Sequence, residues 1–250
     1  MGNANGAHAA DSASNEALPS IIAVPVEGEL FAARIEVVAT EVLQRRISER
    51  ETFRTTQALS AAREMYDNLR AAGLDLRGDT FFDPANSYDM ASQITEGILT
   101  AAQRQWEEKK IRHLGYALAQ IAFHEEIDMR TAAFVVHTAE SLSWTQFVLL
   151  SLVAENAQNP LPPGEVGRHH GTEWQSWTAH RQLSALWTQW ELIGAEPRET
   201  PNMKLKVPNS SLPEFRLGAG GYLLNELLRL EDISESDKAP VREALRAELK

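Results

Sequence analysis

Seven histidines and 35 Asp and Glu residues are the groups in this chain able to hold a metal or move protons. Their spacing argues against both. No HExxH segment occurs, and the run His124-Glu125-Glu126 lacks the second histidine one turn on that would aim two imidazoles at one zinc. His137 with Glu140, and His170 with Glu173, are spaced to share a helix face, yet nothing pairs them into a complete site. A di-iron bundle needs ExxH on two helices plus two further glutamates, and no ExxH occurs. Glu125, Glu126 and Asp128 fall between helices, where a solvated charge cluster is the favoured reading over an acid and base pair. Neither GxSxG, a P-loop nor GxGxxG is present. The turn Gly218, Gly220, Gly221 lacks the Lys and Ser/Thr of a phosphate cradle, so it reads as tight packing. With no cysteine there is no thiolate nucleophile and no disulfide. No catalytic residue, metal ligand or cofactor is therefore expected.

Tryptophan carries more information. Trp174, Trp177, Trp187 and Trp190 sit within one predicted helix, and at 100° per residue they cannot all face the same way. Most are expected in the core. One or two beside the loop at 156–171 would form a contact surface, because aromatic residues are enriched at interface centres. His169, His170, Trp174 and Trp177 are the candidate partner-binding residues.

The elements that would position these residues are helices. Ile111, Leu114, Leu118 and Ile121 recur at three- and four-residue steps, so 107–122 reads as an amphipathic helix. Asp128 caps a second helix carrying Ala132, Val135, Val136 and Ala139 inward, and Ser143 with Gln146 forms a capping box for a third, Trp144 to about Glu155. Upstream, 27–72 reads as one long helix or two joined near Ser48, with an apolar stripe of Ile35, Val38, Val42, Thr56, Leu59, Tyr66 and Leu69. If continuous it would run about 65 Å and project from the domain. Ile35, Val38, Val42, Leu59 and Tyr66 are then candidates for coiled-coil self-association. A helix packed along its own domain fits the same stripe.

Gly73 closes that segment, and 74–84 is a connector holding Phe81 and Phe82. A helix with the face Met90, Ile94, Ile98, Ala101 and Ala102 follows. Residues 156–171, NAQNPLPPGEVGRHHG, form a linker or long loop. Thr172 with Gln175 is a second capping box, opening the tryptophan helix, which should stop at Gly194. MKLKV (203–207) and Glu214 to Leu217 then read as a short hairpin, followed by a helix from the glycine turn and a last amphipathic helix over 237–250.

Helix, glycine stop, hairpin, helix is the order of a winged-helix unit. The fold expected is mainly α: a long N-terminal helix, a central helical bundle and a C-terminal winged-helix-like unit with one short β-hairpin. The boundaries are a tail at 1–18, a helical domain at 19–155, the loop at 156–171 and the winged-helix-like domain at 172–250.

Composition narrows the partners. The net charge is -11 at pH 7, with 24 Lys and Arg, which repels phosphate backbones and anionic lipid at long range. Nucleic acid is an unfavoured partner, although Arg181, Arg198, Lys204 and Lys206 would serve a DNA-reading version of the winged helix. The longest nearly apolar run, 147–154, is far short of the roughly 20 residues a membrane helix needs. A soluble cytoplasmic protein with a protein partner, and a homo-oligomer through the long helix, is the expectation.

The order of parts over 84–230 resembles that of a class of bacterial helical proteins that includes the abortive-infection alpha family. The segments that carry it are EEKKIRHLGYALAQIA, AESLSWTQFVLLSL, LWTQWELIG, similar to an LxxLGLI helix end, and FRLGAGGYLL, similar to an LTxxG helix start. In the last of these Leu217 and Gly218 stand where the threonine would be. The resemblance implies a bacterial or phage-related accessory protein of a defence system, with no active site to carry over. The leading function is a non-enzymatic interaction or regulatory subunit. A DNA-binding regulator and a hydrolase with a site near the 156–171 loop are the alternatives.

Overall fold

The computed structural model describes residues 29–45, 47–79, 81, 90–166, 173–195, 197–198, 207–208 and 211–246, with backbone alone at 29–33, 197–198 and 207–208. His169, His170, Phe82, Thr172, Lys204 and Lys206 lie outside the described residues.

Ser48 decides the shape of the N-terminal half. Its hydroxyl accepts from the Glu51 amide while the Glu51 carboxylate accepts from the Ser48 amide at 2.7 Å, a capping box that starts a new helix. Two helices result, α1 (Glu29–Gln44) and α2 (Glu49–Ala71), rather than one projecting rod. The stripe assigned above to self-association lies inside the chain's own core: Ile35, Val38, Val42, Leu59 and Tyr66 are all buried. α1 packs on α3 (Met90–Arg104), and α2 packs on α4 (Lys109–Ile121) and α3. A seam already filled by its own chain has no apolar surface left for a coiled coil.

The α2–α4 crossing is close because Gly115 has no side chain there. A Cβ at that position would stand 2.2 Å from the Ala58 carbonyl oxygen and 2.8 Å from the Ala61 Cβ. Small residues let the two backbones meet, and larger neighbours such as Leu59, Leu114 and Leu118 close the core on either side.

From α4 the chain turns through 122–128, which Arg77 holds. Its guanidinium donates to the carbonyls of Ile121, Glu125 and Ile127 at 2.9–3.2 Å and to both oxygens of Asp79 at 2.8 and 2.5 Å, and it stacks 4.1 Å from the Phe81 ring centroid. The Asp79 carboxyl is held below the usual range by that guanidinium. The 74–84 connector is thus a strap, at least as far as Phe81. α5 (Met129–Ser141) and α6 (Trp144–Glu155) follow with the caps expected of Asp128 and Ser143. α6 is buried from Gln146 to Val153, because helices and a strand pack around it.

The C-terminal elements close over α6. α7 (Trp174–Thr188) stops six residues before Gly194, and Glu191 takes φ 54° to turn the chain into β1 (Ile193–Ala195). β1 pairs antiparallel with β4 (Phe215–Leu217), and β2 (Pro197–Arg198) pairs with β3 (Val207–Pro208). The partner of Phe215–Leu217 is therefore Ile193–Ala195, not the MKLKV segment. The hairpin is longer than period-two patterning indicated, since a three-residue strand is too short to show alternation. α8 (Ala219–Leu227) and α9 (Glu235–Arg246) complete the fold. The core is one cluster running from Ile35 to Leu245, continuous across the 156–171 loop. That loop is pinned over its first part: the Asn156 side chain donates to the Pro213 and Phe215 carbonyls and accepts from the Leu161 amide.

Gly115→Ala is expected to cost about 1–3 kcal/mol, the usual cost of overpacking a filled core. Gly97→Ala in α3, where a Cβ would meet only the Val136 side chain at 3.7 Å, should be neutral or gain up to about 1 kcal/mol. Urea unfolding of the two variants checks both signs.

Candidate functional site

Two concave surfaces compete. One holds His113, a residue the sequence reading did not single out. Its Nδ1 lies 2.7 Å from the Leu228 carbonyl, so Nδ1 carries the proton and donates. Burial lowers its pKa, and Trp144, Tyr116 and Phe147 pack around the ring. The ionic groups rimming this cleft are spent on each other: Lys109 on Asp237, Arg112 on Glu64, Glu108 on Arg50 and Asp232 on Arg229. His113 is a core histidine that ties α4 to the end of α8.

The other is a cleft of about 660 Å³ between α7, the α3–α4 connection and the α5–α6 turn. Its floor is made of polar side chains buried almost completely: Gln105, Lys110 and Gln146. Lys110 is only 1% exposed. Its ammonium donates to the Glu140 carbonyl at 3.0 Å and to the Leu142 carbonyl, and it lies 5.4 Å from the Phe147 ring centroid. The Gln105 amide donates to the same Glu140 carbonyl at 3.0 Å. Both side chains satisfy carbonyls that the end of α5 leaves without a helical partner. At the adjoining start of α6, the Glu107 carboxylate accepts from the Trp144 amide at 2.8 Å, which places an anion on a helix N-terminus. The Ser143 hydroxyl reaches Gln182 of α7 at 3.4 Å and links the α6 cap to the cleft wall.

Above this floor stand aromatic walls. Trp106 is 77% exposed and Trp177 is 45% exposed, and both line the cleft together with Trp190. Trp174 is 79% exposed and packs edge-on against Trp177 at 6.2 Å. Trp187 turns inward against Phe215. Of the residues predicted to bind a partner, Trp177 lines the cleft and Trp174 stands beside it. Arg181 lies with its guanidinium 6.0 Å from the Trp177 ring centroid, and no carboxylate among the described residues pairs with it. Arg104 makes only a 3.6 Å contact with Glu140.

Other sequence candidates have structural duties. Glu125 accepts from the Gly78 amide, Glu126 pairs with His124, and Asp128 caps α5. His137 and Glu140 share a face of α5, but among the described residues no three metal-ligating side chains converge. No helix among the described residues is long and apolar enough to cross a membrane. Lys110 was legible in principle: it falls four and seven residues before Leu114 and Ala117, on the buried face of α4. The Lys-Lys pair in a charged helix start concealed it. Trp106 gave no periodic signal because it lies in a connection.

Chemically the cleft offers aromatic surface, amide groups, one unspent guanidinium and the Ser141 hydroxyl. Among the described residues no histidine lines it, and the hydroxyls of Ser143 and Thr178 are engaged by the α6 cap and the Trp174 carbonyl. No family model matches the chain, and neither a curated protein nor a solved structure matches it.

Burial depresses the Lys110 ammonium from its ordinary 10.5 to about 8. Between those values the unfolded chain keeps a proton the folded chain has released, so this group makes stability rise with pH across that window. The rise amounts to at most about 3 kcal/mol. Urea midpoints of the wild type, minus those of Lys110→Met, should climb from pH 8 to 10; parallel curves would show that Lys110 titrates normally.

Proposed function

We propose that this protein is a non-enzymatic interaction or regulatory subunit and that the tryptophan-walled cleft is its contact face. The observation that carries the reading is the exposure of Trp106 and Trp177 around a floor of fully engaged polar groups. An indole left in water forfeits a large apolar area, of about 150–250 Å² per ring when buried. A floor whose polar groups are already bonded within the fold needs little ordering on binding. The pattern-level resemblance to abortive-infection alpha proteins supports a role for such a subunit in a bacterial defence or stress system. Glu191 supports that resemblance, since it takes the left-handed conformation at the position where the LxxLGLI pattern has glycine. A cysteine-free chain suits a reducing cytoplasm. With Ile35, Val38 and Val42 buried, self-association would have to use other surface, such as the exposed Val37 and Phe53.

A DNA-binding regulator is the second reading, favoured by the order α7, hairpin, α8. The face of α7 speaks for protein contact instead: Arg181 is its single cation, beside Trp174 and Trp177.

Affinity capture from the source cells with wild type and with the Trp106→Ala/Trp177→Ala variant tests the proposal. At least one protein held by the wild type should drop about tenfold or more with the variant, as removal of two interface anchors predicts. Identical captured sets, from a variant that melts like the wild type, would refute the cleft as the contact face.

A further inference from the structure

A guanidinium without a carboxylate is unexpected here, because carboxylates outnumber Lys and Arg by 35 to 24. Arg45, Arg50, Arg63, Arg70, Arg77, Arg104, Arg112, Arg229, Arg242 and Arg246 all reach one. Arg54 and Arg216 are bonded to backbone carbonyls instead, and Arg130, exposed on α5 near Asp128, makes no ion pair among the described residues. Arg181 does neither, and it is held beside the Trp177 indole at the edge of the cleft. The two acids that line the cleft are not available to it: Glu107 is fixed on the Trp144 amide, and Glu140 faces Arg104. In a chain of net charge -11, the lining carries Arg104, Lys110 and Arg181 against Glu107 and Glu140, so the cleft is locally cationic.

We infer that the cleft binds an acidic peptide segment of a partner protein, with a carboxylate on Arg181 and a neighbouring apolar side chain against Trp106 and Trp177. This rests on the interaction function proposed above and names the chemistry of its partner. A planar guanidinium matches a carboxylate through paired N–H donors. The Trp177 indole lies beside that fork, with its ring centroid 6.0 Å from the guanidinium carbon, at the outer reach of a cation–π contact. Gln182 and Gln189 carry amides that can meet peptide carbonyl and N–H groups, and the indoles supply apolar area. One unspent cation balances one carboxylate. A polyanion would place further charges against Glu107 and Glu140 and against the acidic surface as a whole.

The test is selection from a random dodecapeptide library displayed on phage, against the full-length protein, in parallel with Arg181→Glu and with Trp106→Ala/Trp177→Ala. Selected peptides are then made and titrated by tryptophan fluorescence at two salt concentrations. Peptides enriched in Asp or Glu beside an apolar residue are expected. Their affinity should fall about tenfold or more in Arg181→Glu, recover in part in Arg181→Lys, and fall equally when the peptide acid becomes an amide. Peptides without an acid that lose binding in the tryptophan variant but not in Arg181→Glu would overturn the acidic ligand while leaving the interaction function standing. No peptide separating wild type from the tryptophan variant would overturn the peptide site, and the capture experiment above would then judge the interaction function by itself. Saturable quenching by a dodecathymidylate probe, lost in Arg181→Glu, would overturn it in favour of single-stranded nucleic acid. Thermal melts of each variant keep folding separate from binding.

Discussion

The close crossing of α2 on α4 at Gly115 is the contact on which the rest of the structure depends. A Cβ there would sit 2.2 Å from the Ala58 carbonyl oxygen, nearer than any side chain can be tolerated, so the axis separation is set by the absence of one atom. That separation lets the buried face of α4 reach α2 while its other sides meet α3, α5 and α8. Because α4 is buried almost all round, it fixes where its own N-terminus lies, and Lys110 with it. The cleft floor is therefore positioned by a crossing on the far side of the same helix.

Buried cations then fix the helix ends. Arg54 donates to the Gln103 carbonyl at the end of α3, Arg77 to the Ile121 carbonyl at the end of α4, and Lys110 to the Glu140 carbonyl at the end of α5. Each comes from a different element than the helix it caps. A helix C-terminus leaves carbonyls without partners and carries partial negative charge, so a long cationic side chain satisfies both demands where water cannot reach. Lys238 differs, since it meets the side-chain carboxylate of Glu155 at the end of α6 rather than one of that helix's backbone carbonyls. The desolvation penalty falls on the cations, and it is visible in the lowered pKa of Lys110.

These arrangements bear on function by engaging the cleft floor within the fold and leaving indoles and cationic side chains above it. Every polar group on the floor with a described role is engaged within the fold, which leaves the exposed indoles and Arg181 as the groups a partner would meet. The second cleft lacks such free groups, because its charges are paired across α2, α4 and α9.

Local sequence determined the helices and their starts. Asp128, Ser143 and Ser48 cap helices through bonds to residues three positions on, and the face of Ile111, Leu114, Leu118 and Ile121 is set by helical period alone. Chemistry absent from the sequence, the thiolates and the short catalytic motifs, was legible for the same reason, since a residue type that is missing needs no fold to be missing. What tertiary structure alone decided involves partners distant along the chain. The apolar stripe of α1 and α2 suits a second copy or its own bundle equally well, and only the positions of α3 and α4 choose the bundle. The strand Phe215–Leu217 pairs with Ile193–Ala195 because the turn at Glu191 aims β1 toward it, a register that three residues cannot encode. The cleft gathers Trp106, Lys110, Trp177 and Arg181 from three segments, and no periodicity within one helix specifies a meeting between helices.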